Sequence, residues 1–186
     1  MPGISLEQIE VHLFRRRGAR VEFLILRRSA RRRLPGVWQP ITGGLRRGES
    51  VLAGAAREVL EETGLEPRRW WAVESPTVYL DAAADRVHVL PVLAAEVGAS
   101  DRVRLSPEHD SFQFVSAARA ARRFLWRQQR VALAAVRREV LAGGRLARAL
   151  EVTERMPRAS ARRRRTAPRP ITRDRRSPWR APARST

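Results

Sequence analysis

The sequence has no cysteine and no lysine. Without cysteine there can be no disulfide, no thiol nucleophile and no thiolate-bound zinc. Long hydrophobic runs are also missing: Arg, Pro or Gly interrupts every apolar stretch well short of the ~18 residues a membrane helix needs. Residues 1–14 show no basic segment followed by an apolar one, so they do not read as a signal peptide. These absences lead to the expectation of a cytoplasmic protein with no membrane partner. The lack of lysine makes all 38 basic residues arginine. So complete a bias fits a high-GC coding habit better than selection for a binding surface.

What is present suits one domain with a sizeable core: 186 residues, 43% of them hydrophobic. The formal net charge of +19 invites a nucleic-acid reading, but the charge is uneven. Residues 155–186 hold 12 Arg and a single acid, Asp174, so over half the excess lies there. From 157 onward the chain is Arg, Pro, Ser, Thr and Ala with hardly any large apolar groups, and it reads as disordered. The expected organisation is a domain over 1–150 and an Arg/Pro-rich tail over 151–186. The RRRR run at 162–165 could bind nucleic acid, or be a passive solvated extension. Monomer and homodimer both stay open.

Along the domain, residues 21–28 read as a buried strand and 37–42 as a short one made irregular by Pro40. Residues 50–63 read as a helix, with Ser50 as N-cap and Gly64 as left-handed C-terminal cap. Strands are expected at 72–80 and 86–97, joined by the turn DAAAD, and at 112–115. A helical pattern covers 117–142, with a break near 122–125 and a stop at Gly143 and Gly144. The order of elements gives an α/β layered domain with a mixed sheet.

Chemistry concentrates in the helix at 50–63. Glu58, Glu61 and Glu62 fall within a wedge of about 100° on one helix face. Like charges at this spacing repel by roughly 0.2–0.5 kcal/mol per pair, and no Arg follows any of them at i+4. A hard divalent cation would neutralise them. Magnesium, or manganese in its place, takes oxygen ligands and is usually held by one or two carboxylates together with substrate phosphates. A solvated acidic helix face is the alternative reading of the three glutamates alone.

The flanking residues add a longer pattern: Gly43, Glu49, Arg57, Glu58, Val59, Glu61, Glu62, Gly64 and Leu65, at fixed spacing across 23 residues. This pattern resembles the Nudix box, and the chain is identified as resembling the Nudix hydrolases. The resemblance implies an α/β/α sandwich with a catalytic loop-helix-loop. It implies a metal site made from Glu58, Glu61, Glu62 and the carbonyl of Gly43, supported by an ion pair between Glu49 and Arg57. It also implies attack by water on a phosphoanhydride. The general base would be a box glutamate such as Glu61 or Glu62, or a glutamate on a later loop. Glu108 is the candidate for the later one and for a further metal ligand, with His109 and Asp110 as alternatives; a plain loop acid is the other reading of Glu108.

Two segments, 37–44 and 107–126, are similar to the dihydroneopterin triphosphate pyrophosphatase and dATP pyrophosphohydrolase branch. That likeness implies a nucleotide or pterin triphosphate cut to release pyrophosphate. An RNA 5′-end or dinucleoside polyphosphate hydrolase, and a non-catalytic nucleic-acid-binding regulator, are the alternatives. Arg27 and Arg28 could meet substrate phosphates or be exposed strand-end arginines. Trp38 could stack on a ring or pack in the core. His12 and His88 read as structural, and Trp70 and Trp71 as pointing to opposite faces of a strand.

Overall fold

The computed structural model describes residues 3–157. The Arg-rich stretch beyond 157, with the expected tail behaviour and RRRR run, lies outside the described residues. Eight strands form one mixed sheet: β1 (Gly3–Ser5), β2 (Gln8–Arg17), β3 (Arg20–Arg28), β4 (Trp38–Gln39), β5 (Ile41–Gly44), β6 (Arg69–Asp81), β7 (Arg86–Val97) and β8 (His109–Val115). β2 lies at the centre, parallel to β7 and antiparallel to β3 and β5. The strand expected at 37–42 is therefore two short ones. Pro40, which has no N–H to give a ladder, stands between them.

Helix α1 (Val51–Thr63) covers one face of the sheet. Ser50 caps it, its hydroxyl accepting from Ala53 N, and Gly64 closes it at φ +67°, as the sequence suggested. Ala55 and Val59 pack there on Ile9, Val11 and Leu13 of β2. The other face is covered by α2 (Ala117–Arg123), α3 (Arg127–Ala135) and the π-helical segment Val136–Leu141 that continues it. They bury Phe14, Trp71 and Val73. The result is the expected α/β/α sandwich. Trp70 and Trp71 do enter opposite cores.

The helical pattern stops at Gly143 and Gly144, as expected; both take positive φ, and a further helix, α4 (Gly144–Leu150), which the sequence did not suggest, follows at once. One expectation changes. The chain stays on the sheet past the boundary expected at 150. Glu151 bonds Arg69 through two contacts of 3.0 and 2.7 Å, the Thr153 hydroxyl accepts from Trp70 N, and Met156 packs against the α1-side core.

β2 positions the site. Its odd residues, Ile9, Val11 and Leu13, face α1 and are fully apolar. Its even residues run Gln8, Glu10, His12, Phe14, so the second face changes from polar to apolar along the strand. A polar end of a buried strand is costly unless its groups are paired, and it lies where the cavities described next are found.

Candidate active site

A cavity of about 300 Å³ opens at the end of α1, where β5 and the loop before β8 approach it. Gly43, Glu58, Glu62, Glu108 and Arg28 line it, together with Gln8 and Thr42. The structure thus gathers four of the five expected metal-site residues. Gly43 is required by the close approach of β5 to α1: a Cβ there would overlap the Glu58 carboxyl.

Arg57 organises the carboxylates. Its Nε and Nη2 donate to the two oxygens of Glu49 at 2.8 Å each, a bidentate pair that holds the Glu49 carboxyl down at about 2. Nη1 donates to Glu58 Oε1 at 2.7 Å, and Nη2 also reaches the Gly44 carbonyl at 2.7 Å. One guanidinium therefore ties the loop to the helix, as expected of Glu49 and Arg57.

The same residue corrects the charge argument made from the sequence. Counting forward from each glutamate found no neutralising arginine, but Arg57 precedes Glu61 by four residues and donates to its Oε2 at 3.1 Å. Arg46 donates to Glu61 Oε1 at 2.9 Å. Glu61 is thus neutralised on both oxygens and sits at the rim, its side chain 49% exposed, away from the residues that line the cavity.

Glu62 is the opposite case. It is 4% exposed, and its Oε2 has no hydrogen-bond partner. Burial, reinforced by the nearby Glu58 charge, pushes its pKa well above the usual carboxylate range. Burial likewise raises Glu58, against the pull of Arg57. His109 Nδ1, also buried without a partner, stands 3.7 Å from Glu62 Oε2. Burial and then the charges of Arg28 and Arg32 lower this imidazole to about 4, so it is neutral at pH 7.

These residues fit a hard divalent cation. They offer oxygen donors, one of them a buried carboxyl oxygen with nothing else to bind. Among the described residues no three acidic or histidine side chains are grouped so as to hold a metal ion by themselves. Glu58 and Glu62 could hold the ion, Glu108 and the Gly43 carbonyl could add to it, and substrate phosphates and water would complete it. Glu61 could join only by leaving Arg46 and Arg57.

The other expected residues divide. Arg28 lines the cavity, whereas Arg27 donates to Asp110 Oδ1 at 2.6 Å across the irregularity between β3 and β8. Trp38 packs against the core under the guanidinium of Arg123, 4.8 Å from its ring centre, and does not line the cavities. Glu108 is ion-paired with Arg32. His12 is buried 2.7 Å from Glu10, and His88 stacks on Tyr79; neither lines this cavity.

A second cavity, about 460 Å³, adjoins the first at Gln8, Arg28 and Thr42, which line both. Leu34, Val37, Leu90 and Trp126 give it apolar walls. Glu10, Gln39, Thr77 and Gln129 give it polar ones. The sequence reading missed this cavity. The alternation of β2 carried a signal for its Gln8–Glu10 side, but the contributions of β6 and α3 depend on long-range pairing.

Comparisons with known proteins agree with this geometry. The NUDIX domain profile matches residues 8–136. A curated relative, a Myxococcus xanthus protein named octanoyltransferase, is 35% identical over 127 residues, 63% of this chain. The match covers 33% of that protein, so the chain spans about a third of its length. Among solved structures, a C. elegans Ap4A hydrolase superposes with a TM-score of 0.63 at 20% identity, covering 75% of this chain and all of that one. The E. coli dihydroneopterin triphosphate pyrophosphohydrolase gives 0.57 at 17%, covering 74% and 99%. The likeness is thus shared among proteins of different substrates and does not single out the dihydroneopterin branch. Strands β2 to β8, helix α1 and the residues that line both cavities lie within the matched range, and this chain belongs to the NUDIX domain family.

Proposed function

We propose that the protein is a divalent-metal-dependent pyrophosphohydrolase that cleaves a phosphoanhydride bond of a nucleoside triphosphate-like substrate, of the dihydroneopterin triphosphate or dATP type. The observation that carries this reading is the adjoining pair of cavities. One has carboxyl groups suited to a metal and phosphates, the other has walls suited to a ring, and Arg28 stands between them.

Bound magnesium would offset phosphate charge and lower the pKa of a coordinated water. The chain's own residues do the rest. Arg28 offers guanidinium donors to the phosphates. Arg57 fixes Glu58, and the second cavity orients the ring, so that the triphosphate is presented in line to water. Water adds to the α-phosphorus, the bond between that phosphorus and the bridging oxygen breaks, and pyrophosphate leaves with a monophosphate. The proton passes to a carboxylate. Glu62 and Glu108, both at the cavity, are the candidates for that role.

The test is product analysis with purified protein, magnesium, and a panel of nucleoside triphosphates, dihydroneopterin triphosphate, dinucleoside polyphosphates and 5′-triphosphorylated RNA. Pyrophosphate with a monophosphate product, abolished by a chelator, supports the reading. A folded protein that turns over none of them would sink it.

A further inference from the structure

Glu10 is 1% exposed and lies at the wall of the ring cavity. Thr77 Oγ donates to its Oε2 at 3.0 Å, and His12 Nε2 is 2.7 Å from its Oε1. A carboxylate has about four acceptor positions and no donor, so two contacts leave capacity for more. Gln129, at the start of α3, lines the same cavity. It is 5% exposed, and its Oε1 has no hydrogen-bond partner. An acidic group is an expensive choice so deep in a sheet, where apolar packing would be cheaper. Phe14, two steps further along the same strand face, shows that the fold tolerates an apolar residue in this row.

We infer that Glu10 and Gln129 select a ring whose edge carries adjacent N–H and NH2 donors, the 2-amino-4-oxo edge common to guanine and pterin, over adenine. The inference rests on the hydrolase reading for the placement of the ring, and it deepens that reading. Two acceptors, one of them a carboxylate, call for two donors from the ligand. Guanine and pterin supply them side by side. Adenine sets a bare ring nitrogen beside its amino group, and that lone pair would face the carboxylate unpaired. A cavity of about 460 Å³ holds a bicyclic ring, and Leu34, Val37, Leu90 and Trp126 provide apolar surface for its faces.

The experiment uses the full chain with magnesium. Turnover is measured for GTP, ITP, ATP and dihydroneopterin triphosphate. Binding of the α,β-methylene analogues of GTP and ATP is measured by calorimetry, which needs no hydrolysis. ITP lacks only the 2-amino group, so its kcat/KM should fall about ten- to a hundredfold below that of GTP, with ATP at least as poor. Glu10→Gln and Gln129→Met should each pull the GTP-to-ITP ratio toward one. Two variants are used because Glu10→Gln also alters the contacts to His12 and Thr77.

Equal use of GTP and ITP, a preference for ATP, or a ratio unchanged in both folded variants overturns the inference. Metal-dependent turnover of ATP without a guanine preference would do so while leaving the hydrolase reading intact. If nothing is turned over but the GTP analogue binds preferentially, and the variants lose that preference, the ring assignment stands and the hydrolase reading falls. Dihydroneopterin triphosphate exceeding GTP would identify a pterin as the source of the edge, and the reverse a guanine nucleotide. Either supports the inference.

Discussion

Glu62 and Arg57 show two ways of keeping carboxylates close together. Arg57 satisfies Glu49 and Glu58, both mostly buried, through charge-assisted hydrogen bonds. Removing it strands both acids, so Arg57→Ala should cost on the order of 3 kcal/mol. Arg46→Ala breaks only an exposed pair with Glu61, and should change stability by about 0.5 kcal/mol or less. Urea denaturation checks the contrast, and equal midpoints for the two variants would contradict it. Glu62 is left without such a partner, with one buried carboxyl oxygen unbonded. Glu62→Gln removes a charge that burial penalises. It should therefore raise the metal-free melting temperature by about 2–4 °C, equivalent to about 1 kcal/mol, while abolishing activity. A fall in melting temperature would show that Glu62 stabilises the fold.

At the scale of elements, α1 was legible because its signals are local: a capping serine, a C-terminal glycine and an apolar stripe of Ala55 and Val59. The strand pair β6–β7 was legible from β-branched content and its turn, although its starting point at Arg69 was not. The bulge between Val73 and Thr77, at Pro76, was not foreseen. Counting charge forward along α1 overlooked Arg57, since a helix surface has neighbours in both directions. The last described residues were also misjudged, because their anchors lie far away in sequence: Arg69 holds Glu151, and Trp70 N bonds Thr153. The Arg69 hydrogen bonds keep the Glu151 carboxyl below its ordinary value of 4.5, as Arg57 keeps Glu49 at about 2. A depressed carboxylate contributes stability above the unfolded pKa and loses it as pH falls through the folded one. Stability should therefore decline from about pH 4.5 toward pH 2. The difference in urea midpoint between the wild type and Glu151→Gln should be larger at pH 7 than at pH 3. A difference independent of pH would mean that the pair contributes nothing through charge.

At the scale of the whole molecule, the candidate metal-site residues are legible in the sequence because they come from one 23-residue stretch plus a single loop, and the structure brings Gly43, Glu58, Glu62 and Glu108 to one cavity. The ring cavity could not. Gln8 and Glu10 come from β2, Thr77 from β6 and Gln129 from α3, and only the parallel pairing of β2 with β7, and the packing of α3 on β6, brings them together. Arg27 and Trp38 could be assigned no better than as candidates, because a strand-end side chain may turn to either neighbour. Here Arg27 turns to Asp110, and Trp38 packs beneath Arg123.

The central claim is that the buried pair Glu58 and Glu62, and not the rim glutamate Glu61, provides the main hold on the cation that hydrolysis needs. The most direct measurement is the magnesium dependence of pyrophosphate release in the wild type, Glu62→Gln and Glu61→Gln, each shown to be folded. Glu62→Gln should lose at least a hundredfold in kcat at every magnesium concentration. Glu61→Gln should retain turnover with a smaller loss. A Glu62→Gln enzyme with a wild-type magnesium response, or one less impaired than Glu61→Gln, would contradict the claim.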